Sequence, residues 1–129
     1  MEGIIVTKKP KLKNPYLIVA WPGMGEVAFR AASYLVEKLG AKDFAQIPAQ
    51  DYFYLTTSVI QDGLLDVPEL PQSTFYFWKN PSKSKTSHDL IIFISNAQPD
   101  LAKAASYSEK ILQVAKGYNV TRIIGFASM

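Results

Sequence analysis

Apolar residues form three continuous runs and two helical stripes along the chain. The runs cover residues 16–21, 89–95 and 121–127, and each has the length of a strand without alternation between apolar and polar positions. Such runs are typical of strands that are covered on both faces. The stripes recur at helical spacing over residues 24–39 and 100–116. The pattern therefore predicts three buried strands and two amphipathic helices.

Each helix also carries a predicted end. Gly40 is placed as the C′ residue of the first helix, and Gly117 ends the second. The apolar stripe of the first helix is Val27, Ala28, Ala31, Ala32, Leu35, Val36 and Leu39. The stripe of the second helix is Leu101, Ala104, Ala105, Ser108, Ile111, Leu112 and Ala115.

Shorter strands are predicted around and between these elements. They cover residues 3–7, 44–48, 52–60, 64–67 and 74–78. Asp62-Gly63 is the dipeptide favoured in tight hairpin turns, and it separates two of these strands. The predicted class is α/β, a mixed β-sheet with flanking helices in the order β-α-β-β-β-β-α-β.

The size and composition of the chain limit the number of domains and the kinds of protein that it can be. Its 129 residues form a single α/β domain, residues 1–129, and the absence of cysteine excludes disulfides and thiolate chemistry. The longest apolar run is about six residues, whereas a membrane-spanning helix needs roughly 20. The N-terminus lacks the apolar segment of a secretory signal. We expect a cytoplasmic protein with no membrane partner.

The last predicted strand has nothing after it to cover its outer face. Either an oligomer partner covers this strand, or residues 1–129 are the first part of a longer domain. We favour the second interpretation.

The basic charge raises the question of nucleic acid. The net charge is +3, but the lysines fall in two separate places in the sequence. Neither group alternates with exposed aromatic residues or belongs to a known nucleic-acid module. We expect solvated loops there and no nucleic-acid partner. The first group is Lys8, Lys9, Lys11 and Lys13, and the second is Lys79, Lys83 and Lys85.

The turn after the first buried strand resembles a dinucleotide-binding fingerprint. Gly23, Gly25 and Ala28 match G-x-G-x-x-A between a strand and a helix. Pro22 stiffens the turn, Glu26 puts a negative charge where a pyrophosphate would lie, and no acidic residue ends the next strand. A structural tight turn is the better interpretation, and we expect no cofactor.

The sequence offers few other residues that could act in catalysis or bind a metal ion. His88 precedes Asp89 but has no serine or cysteine nucleophile nearby in the sequence, so we expect it to be solvated. No acidic residues have a spacing that indicates acid–base catalysis, and no group of residues has the spacing of metal ligands. We predict no catalytic residues and no metal site.

One crevice is nevertheless a candidate binding site. The loops that follow Trp21, Ser95 and Ala127 leave from the same edge of a sheet whose central strands are parallel. That geometry makes neighbours of five loop residues. We expect any small-molecule site to use Gly23, Met24, Gly25, Asn96 and Gln98.

Several segments resemble the proteasome assembly chaperone 2 family. They are IVAWPGMGEVA, AASYLVEKLGAK, HDLIIFISNAQP and TRIIGFASM, in the family's order and spacing. The most specific pieces are Pro22-Gly23-Met24-Gly25, Tyr34-Leu35 with Leu39-Gly40-Ala41, and Asn96-Ala97-Gln98-Pro99.

The resemblance implies a phosphorylase/hydrolase-like α/β fold without an established catalytic constellation. It also implies a protein-binding module that forms homo-oligomers and, in archaeal relatives, is linked to proteasome assembly. Members are usually much longer, so the chain looks like their first half, a truncated form or a short paralogue. Some relatives dock on the proteasome through a hydrophobic-Tyr-any tail, which Ala127-Ser128-Met129 does not match.

Two functions follow. The first is a non-catalytic interaction module that binds copies of itself and proteasome subunits. The alternative is a nucleoside phosphorylase/hydrolase-like binder or enzyme that uses the crevice at Gly23–Gly25 and Gln98. A structural domain without independent activity is a third interpretation.

Overall fold

A six-stranded mixed sheet with a helix on each face forms the frame of the protein. The structure is a computed structural model and describes residues 3–20, 27–48, 73–95 and 101–126. The strands are β1 (Ile5–Val6), β2 (Tyr16–Ala20), β3 (Lys42–Ile47), β4 (Ser73–Trp78), β5 (Leu90–Ser95) and β6 (Ile123–Phe126). The helices are α1 (Val27–Leu39) and α2 (Ala104–Gly117), and a 3₁₀ turn, Leu101–Lys103, precedes α2.

The strand order in the sheet is β1-β3-β4-β5-β2-β6. Strand β2 lies between β5 and β6 and is parallel to both, whereas the β1–β3, β3–β4 and β4–β5 pairs are antiparallel. The predicted mixed α/β fold is confirmed. The strands predicted at 52–60 and 64–67, with the turn at Asp62-Gly63, lie outside the described residues.

Alternate residues of the central strands point into two separate cores. Leu17 and Val19 of β2 pack in the core beneath α2, and Ile18 and Ala20 pack in the core beneath α1. Because both faces are covered, both sets of positions must be apolar, which explains the missing alternation in the sequence. The two faces place α1 and α2 on opposite sides of the sheet.

Helix α1 ends at the predicted glycine. Gly40 has a φ of +67°, in the left-handed region that favours glycine. The Ala41 N–H donates to the Val36 carbonyl at 3.0 Å, and the Gly40 N–H donates to the Glu37 carbonyl at 3.3 Å. This is a Schellman motif. Ala28 and Ala32 are buried as predicted, but Val27 and Ala31 are exposed on one flank of the helix.

The predicted stripe of α2 is corrected in part, since Ile111 and Ala115 are buried as predicted but three other members are not. Ala105, Ser108 and Leu112 are exposed, because the face that α2 buries against the sheet is made of a different set of residues. The buried residues are Tyr107, Ile111, Val114 and Ala115. The helix ends at Gly117 as predicted, but the left-handed residue beyond its end is Asn119 and not a glycine. Asn119 has a φ of +58°, and the Val120 N–H donates to the Ala115 carbonyl at 2.9 Å.

Candidate functional site

The carboxyl ends of three parallel strands meet at one edge of the sheet. Ala20, at the end of β2, pairs with Ile94 of β5 and with Phe126 of β6. The common edge from which the three loops leave is therefore as predicted. The candidate ligand residues themselves lie outside the described residues. They are Gly23, Met24, Gly25, Asn96 and Gln98.

This edge contains the topological switch point of the sheet. From β2 the chain passes through α1, on one face, toward β3. From β5 it passes through α2, on the other face, toward β6. Adjacent parallel strands whose connections leave to opposite sides open a crevice between their carboxyl ends, where ligands of open α/β sheets bind.

A buried cluster of hydroxyl groups lies at the same edge. Ser95 ends β5, and Ser73 begins the antiparallel β4, so the two residues pair across the sheet. The Ser73 hydroxyl donates to Ser95 Oγ at 3.5 Å and forms a short hydrogen bond with the hydroxyl of Tyr107 on α2. All three side chains are at most 1% exposed. Their hydrogen bonds connect α2 to the ends of β4 and β5. Because the three side chains are buried, they are not exposed to a bound ligand.

Sequence reasoning missed this cluster. The apolar stripe predicted for α2 omits Tyr107, although Tyr107, Ile111 and Val114 repeat at spacings of four and three. That spacing was the available signal. A tyrosine can be buried when its hydroxyl finds a partner, and here Ser73 is that partner.

At the amino ends of the parallel strands, the carboxylate of Asp89 connects two segments of the chain. Asp89 is 7% exposed and accepts the backbone N–H of Lys13 at 2.7 Å and of Asn80 at 2.8 Å. Its own N–H donates to the Lys13 carbonyl at 3.1 Å. One carboxylate thus joins the segment before β2 to the segment after β4. Its role is structural.

His88 is not simply solvated as expected. Its ring stacks on Tyr16, with centroids 3.9 Å apart, and its Nδ1 lies 2.7 Å from the Asn14 carbonyl oxygen. The Arg122 guanidinium lies 5.5 Å from the centroid of the same Tyr16 ring. His88 therefore fixes the position of the loop before β5.

The two lysine groups that look separate in the sequence are adjacent in the structure. Lys13 Nζ donates to the Ser84 carbonyl at 2.6 Å, and Asp89 joins both segments. Two groups that are distant in the sequence therefore form one surface. We call the joined surface the basic edge. Its exposed lysines are Lys8, Lys9, Lys11, Lys13, Lys79, Lys83 and Lys85.

A polar depression of about 260 Å³ lies on the sheet over β3 and β4. Asp43, Thr74 and Tyr76 line it, together with Thr7, Ala45 and Gln46. Burial, and then the negative charge of Asp43, raise the pKa of the Tyr76 hydroxyl above its usual value. The tyrosine therefore stays neutral at physiological pH and can donate a hydrogen bond.

The described residues hold neither a group of metal ligands nor a helix that could cross a membrane. Across residues 3–20, 27–48, 73–95 and 101–126, no three His, Asp or Glu side chains are grouped so that they could hold a metal ion. Among the helices in those ranges, none has the length and apolar character that crossing a membrane requires.

The edge strand β6 exposes apolar side chains on both faces of the sheet. Ile123 is 49% exposed and Ile124 is 38% exposed, and successive strand residues point to opposite faces. Val27 and Tyr34 of α1 and Leu112 of α2 are also exposed. Among the described residues, one further large hydrophobic side chain is exposed, Ile5 on β1.

Solved structures show the same architecture. *Pyrococcus furiosus* PbaB, an archaeal proteasome activator, is 28% identical and superposes with a TM-score of 0.74 over 95% of this chain. A PAC2 family protein from *Streptomyces avermitilis* MA is 18% identical, with a TM-score of 0.63 over 86% of the chain. A *Thermoplasma acidophilum* protein of unknown function is also 18% identical, with a TM-score of 0.61 over 89%.

The chain spans about half the length of these structures. It covers 49% of the *Pyrococcus* chain, 48% of the *Streptomyces* chain and 42% of the *Thermoplasma* chain. Curated proteins gave no significant match. The family model described as PAC2 family matches residues 17–129, which include both helices, strands β3 to β6 and all of β2 except Tyr16. The chain belongs to the PAC2 family.

Proposed function

We propose that this chain is a non-catalytic interaction module that works by associating with itself and with other protein chains. The observation that carries the proposal is the apolar edge strand β6, which exposes Ile123 and Ile124 on opposite faces. Burial of apolar surface contributes about 25 cal/mol per Å² before the entropic losses of docking. Exposed apolar surface of this kind marks interaction sites.

Proteasome subunits are the proposed partners. The support is the similarity to PbaB, which is described as an archaeal proteasome activator. This chain corresponds to about half of PbaB, so the partner is a proposal for this chain and rests on that similarity alone. A cytoplasmic location is part of the same proposal.

Two measurements test the proposal. Sedimentation velocity at micromolar concentrations is expected to show a species heavier than one 14.4 kDa chain. Purified proteasome α-subunits are expected to retain the chain in a pull-down, and bovine serum albumin coupled to the same resin is expected not to. A strictly monomeric protein that no α-subunit retains would remove this function.

A small-molecule site is the second candidate function, and one observation favours it. The crevice between the carboxyl ends of β2 and β5 lies at the switch point of the sheet. Gly23, Met24, Gly25, Asn96 and Gln98 are the proposed contacts. Thermal-shift measurements with nucleosides, nucleotides and phosphate test this site. A rise in Tm that Gln98→Ala abolishes supports it, and no rise with any of them counts against it.

A further inference from the structure

The basic edge concentrates positive charge that its own segments do not neutralise. Its seven lysines come from residues 8–13 and 79–85, and neither segment contains an acidic residue. The next carboxylate along the chain, that of Asp89, is buried and accepts two backbone N–H groups rather than a lysine ammonium. An excess of like charge on one exposed surface attracts anions and raises the rate at which they arrive.

Both lysine segments lie within continuous described ranges, 3–20 and 73–95. The interruptions between described ranges fall at the other edge of the sheet, for example after Ala20 and after Ser95. The basic edge is therefore defined by described residues alone.

Hydrogen bonds hold the two lysine segments together, although their like charges repel each other. The Asp89 carboxylate accepts the backbone N–H groups of both Lys13 and Asn80, and Lys13 Nζ donates to the Ser84 carbonyl at 2.6 Å. Holding like charges side by side costs free energy, and an anion that binds beside them removes part of that cost. Because the backbone is already fixed, binding loses little additional conformational entropy.

The second lysine segment is also ordered internally. Polar side chains within residues 80–86 accept backbone N–H groups two residues further along the chain. These bonds join the Ser82 N–H to Asn80 Oδ1 at 2.9 Å, the Ser84 N–H to Ser82 Oγ at 3.2 Å, and the Thr86 N–H to Ser84 Oγ at 3.2 Å. Lys83 and Lys85 alternate with these residues and are exposed.

Lysines recur at every second residue in the first segment as well. Lys9, Lys11 and Lys13 are exposed. Pro10 and Leu12, which lie between them, are half-buried, and Leu12 packs against the core beneath α2. Every second side chain of an extended segment lies on the same side, about 7 Å further along. Carboxylates at alternate positions of an extended peptide have the same spacing.

We infer that the basic edge is a docking surface for an acidic segment of a partner protein, in which aspartate or glutamate occupies alternate positions of an extended chain. The inference rests on the proposed function, because it names a surface through which this chain binds other protein chains. Single exposed ion pairs contribute little, so several lysines must act together to hold the segment. Complementary charge also guides the partner into place.

The side chains of the basic edge favour a polypeptide over a nucleic acid. Single-stranded nucleic acids stack their bases on aromatic rings, and residues 8–13 and 79–85 contain none. Arginine forks recognise base edges and phosphates, whereas every charge in these two segments is a lysine. The N-termini of α1 and α2, which could bind phosphate, follow the carboxyl ends of β2 and β5 and lie at the other edge.

A peptide of alternating glutamate and serine tests the inference. We expect the labelled peptide to bind the chain in fluorescence anisotropy at about 0.1 M salt, where exposed charges still interact over about 10 Å. The peptide with glutamine in place of glutamate is expected to bind at least about tenfold more weakly.

A double variant locates the binding to the basic edge. Lys11→Gln combined with Lys85→Gln removes one charge from each segment, and we expect the Kd of the glutamate peptide to rise about tenfold. The matched control is Arg30→Gln combined with Lys103→Gln, which changes the net charge equally at exposed positions near the starts of the helices. The control should change the Kd by less than about twofold. Urea unfolding confirms that both double variants are folded.

A zero-length cross-link identifies the lysines that contact the peptide. A carbodiimide joins a peptide carboxylate to a lysine amine as an amide and takes up the water that is lost. We expect mass spectrometry to find amides on lysines of both segments, Lys11 and Lys85 among them, and not on Lys103. Equal yields at Lys103 would show that the peptide follows the net charge of the protein and not the basic edge.

A thymidine oligonucleotide with the same number of negative charges tests the competing partner. We expect it to bind more weakly than the glutamate peptide, because the basic edge offers no aromatic ring for its bases. Tighter binding of the oligonucleotide, weakened by the Lys11 and Lys85 double variant, would assign the basic edge to nucleic acid and overturn the inference.

The outcomes also separate this inference from the proposed function. If the glutamate peptide does not bind, and α-subunits retain the Lys11 and Lys85 double variant as well as wild type, the docking surface is wrong and the proposed function stands. If the peptide binds at the basic edge but α-subunits do not retain the chain, the docking surface stands and the proteasome partner fails. Retention of wild type and of the control, but not of the Lys11 and Lys85 double variant, supports both.

Discussion

At the scale of single residues, the structure depends on a few positions whose backbone or environment is special. Gly40 and Asn119 take left-handed angles that end the two helices, and Tyr76 holds a hydroxyl in a partly desolvated place beside Asp43. The sequence could predict Gly40 because glycine is the usual residue at C′. It could not predict Tyr76, whose environment is made by a strand distant in sequence.

Replacement of Gly40 by alanine tests the helix end. A Cβ at Gly40 would meet no atom within 4 Å, so the cost is that of the left-handed backbone alone. We expect Gly40→Ala to lower the free energy of unfolding by about 1–2 kcal/mol, and Gly40→Asn to lower it by less, because asparagine tolerates this conformation better. Urea unfolding measures both. Equal losses for the two variants would show that the backbone angle is not the cause.

The raised pKa of Tyr76 predicts a pH dependence. A folded-state pKa above the unfolded value of 10.0 means that the neutral side chain favours the fold. Its contribution is complete below pH 10 and is lost as the pH rises through the folded pKa. Tyr76→Phe should therefore lose less stability than wild type on that rise, as followed by urea unfolding. Tyr34→Phe, which removes an exposed hydroxyl, is the control. Parallel losses for Tyr76→Phe and wild type would contradict the account.

At the scale of elements, periodicity predicted where strands and helices lie better than which residues they bury. The continuous apolar runs of β2 and β5 were assigned correctly because both faces are covered. The buried face of α2 was not, because Tyr107 is buried through its bond to Ser73, a residue of another strand. The environment of His88 and the proximity of the two lysine groups could not be predicted for the same reason. Their neighbours come from segments that are far apart in the sequence.

The segments around Asp89 provide a test at this scale. Asp89→Ala removes the acceptor of two backbone N–H groups, those of Lys13 and Asn80. Hydrogen bonds to a charged acceptor are worth about 1.5–3 kcal/mol each, so we expect a loss of at least about 2 kcal/mol in the free energy of unfolding. The exposed Glu109→Ala should stay within about 0.5 kcal/mol of wild type. A change at Asp89 as small as that at Glu109 would contradict the structural role.

At the scale of the whole molecule, the candidate surfaces lie in separate places. The basic edge is at the amino ends of the parallel strands, the switch point is at their carboxyl ends, and the apolar strand β6 lies at one side of the described sheet. The common edge of the three loops could be predicted from the sequence, because it follows from parallel strands alone. The neighbour of β6 in the sheet could not be predicted, since the strand order depends on pairing between segments that are distant in the sequence.

The salt dependence of the dimer Kd distinguishes association through apolar side chains from association through charged groups. Each copy carries a net charge of +3, so two copies repel each other slightly. Raising the salt concentration from about 0.1 M to about 1 M shortens the screening length from about 10 Å to about 3 Å. We expect the dimer Kd to hold or fall over that range, as measured by sedimentation equilibrium. A tenfold weaker dimer at high salt would show that charged groups, and not exposed apolar side chains, hold the copies together.

The mass of the whole chain in solution tests the central claim most directly. If this protein works through surfaces that it shares with other chains, sedimentation equilibrium at micromolar concentrations should give a mass above 14.4 kDa that rises with concentration toward twice that value. A mass that stays at 14.4 kDa at every concentration would contradict the claim that the chain associates with itself.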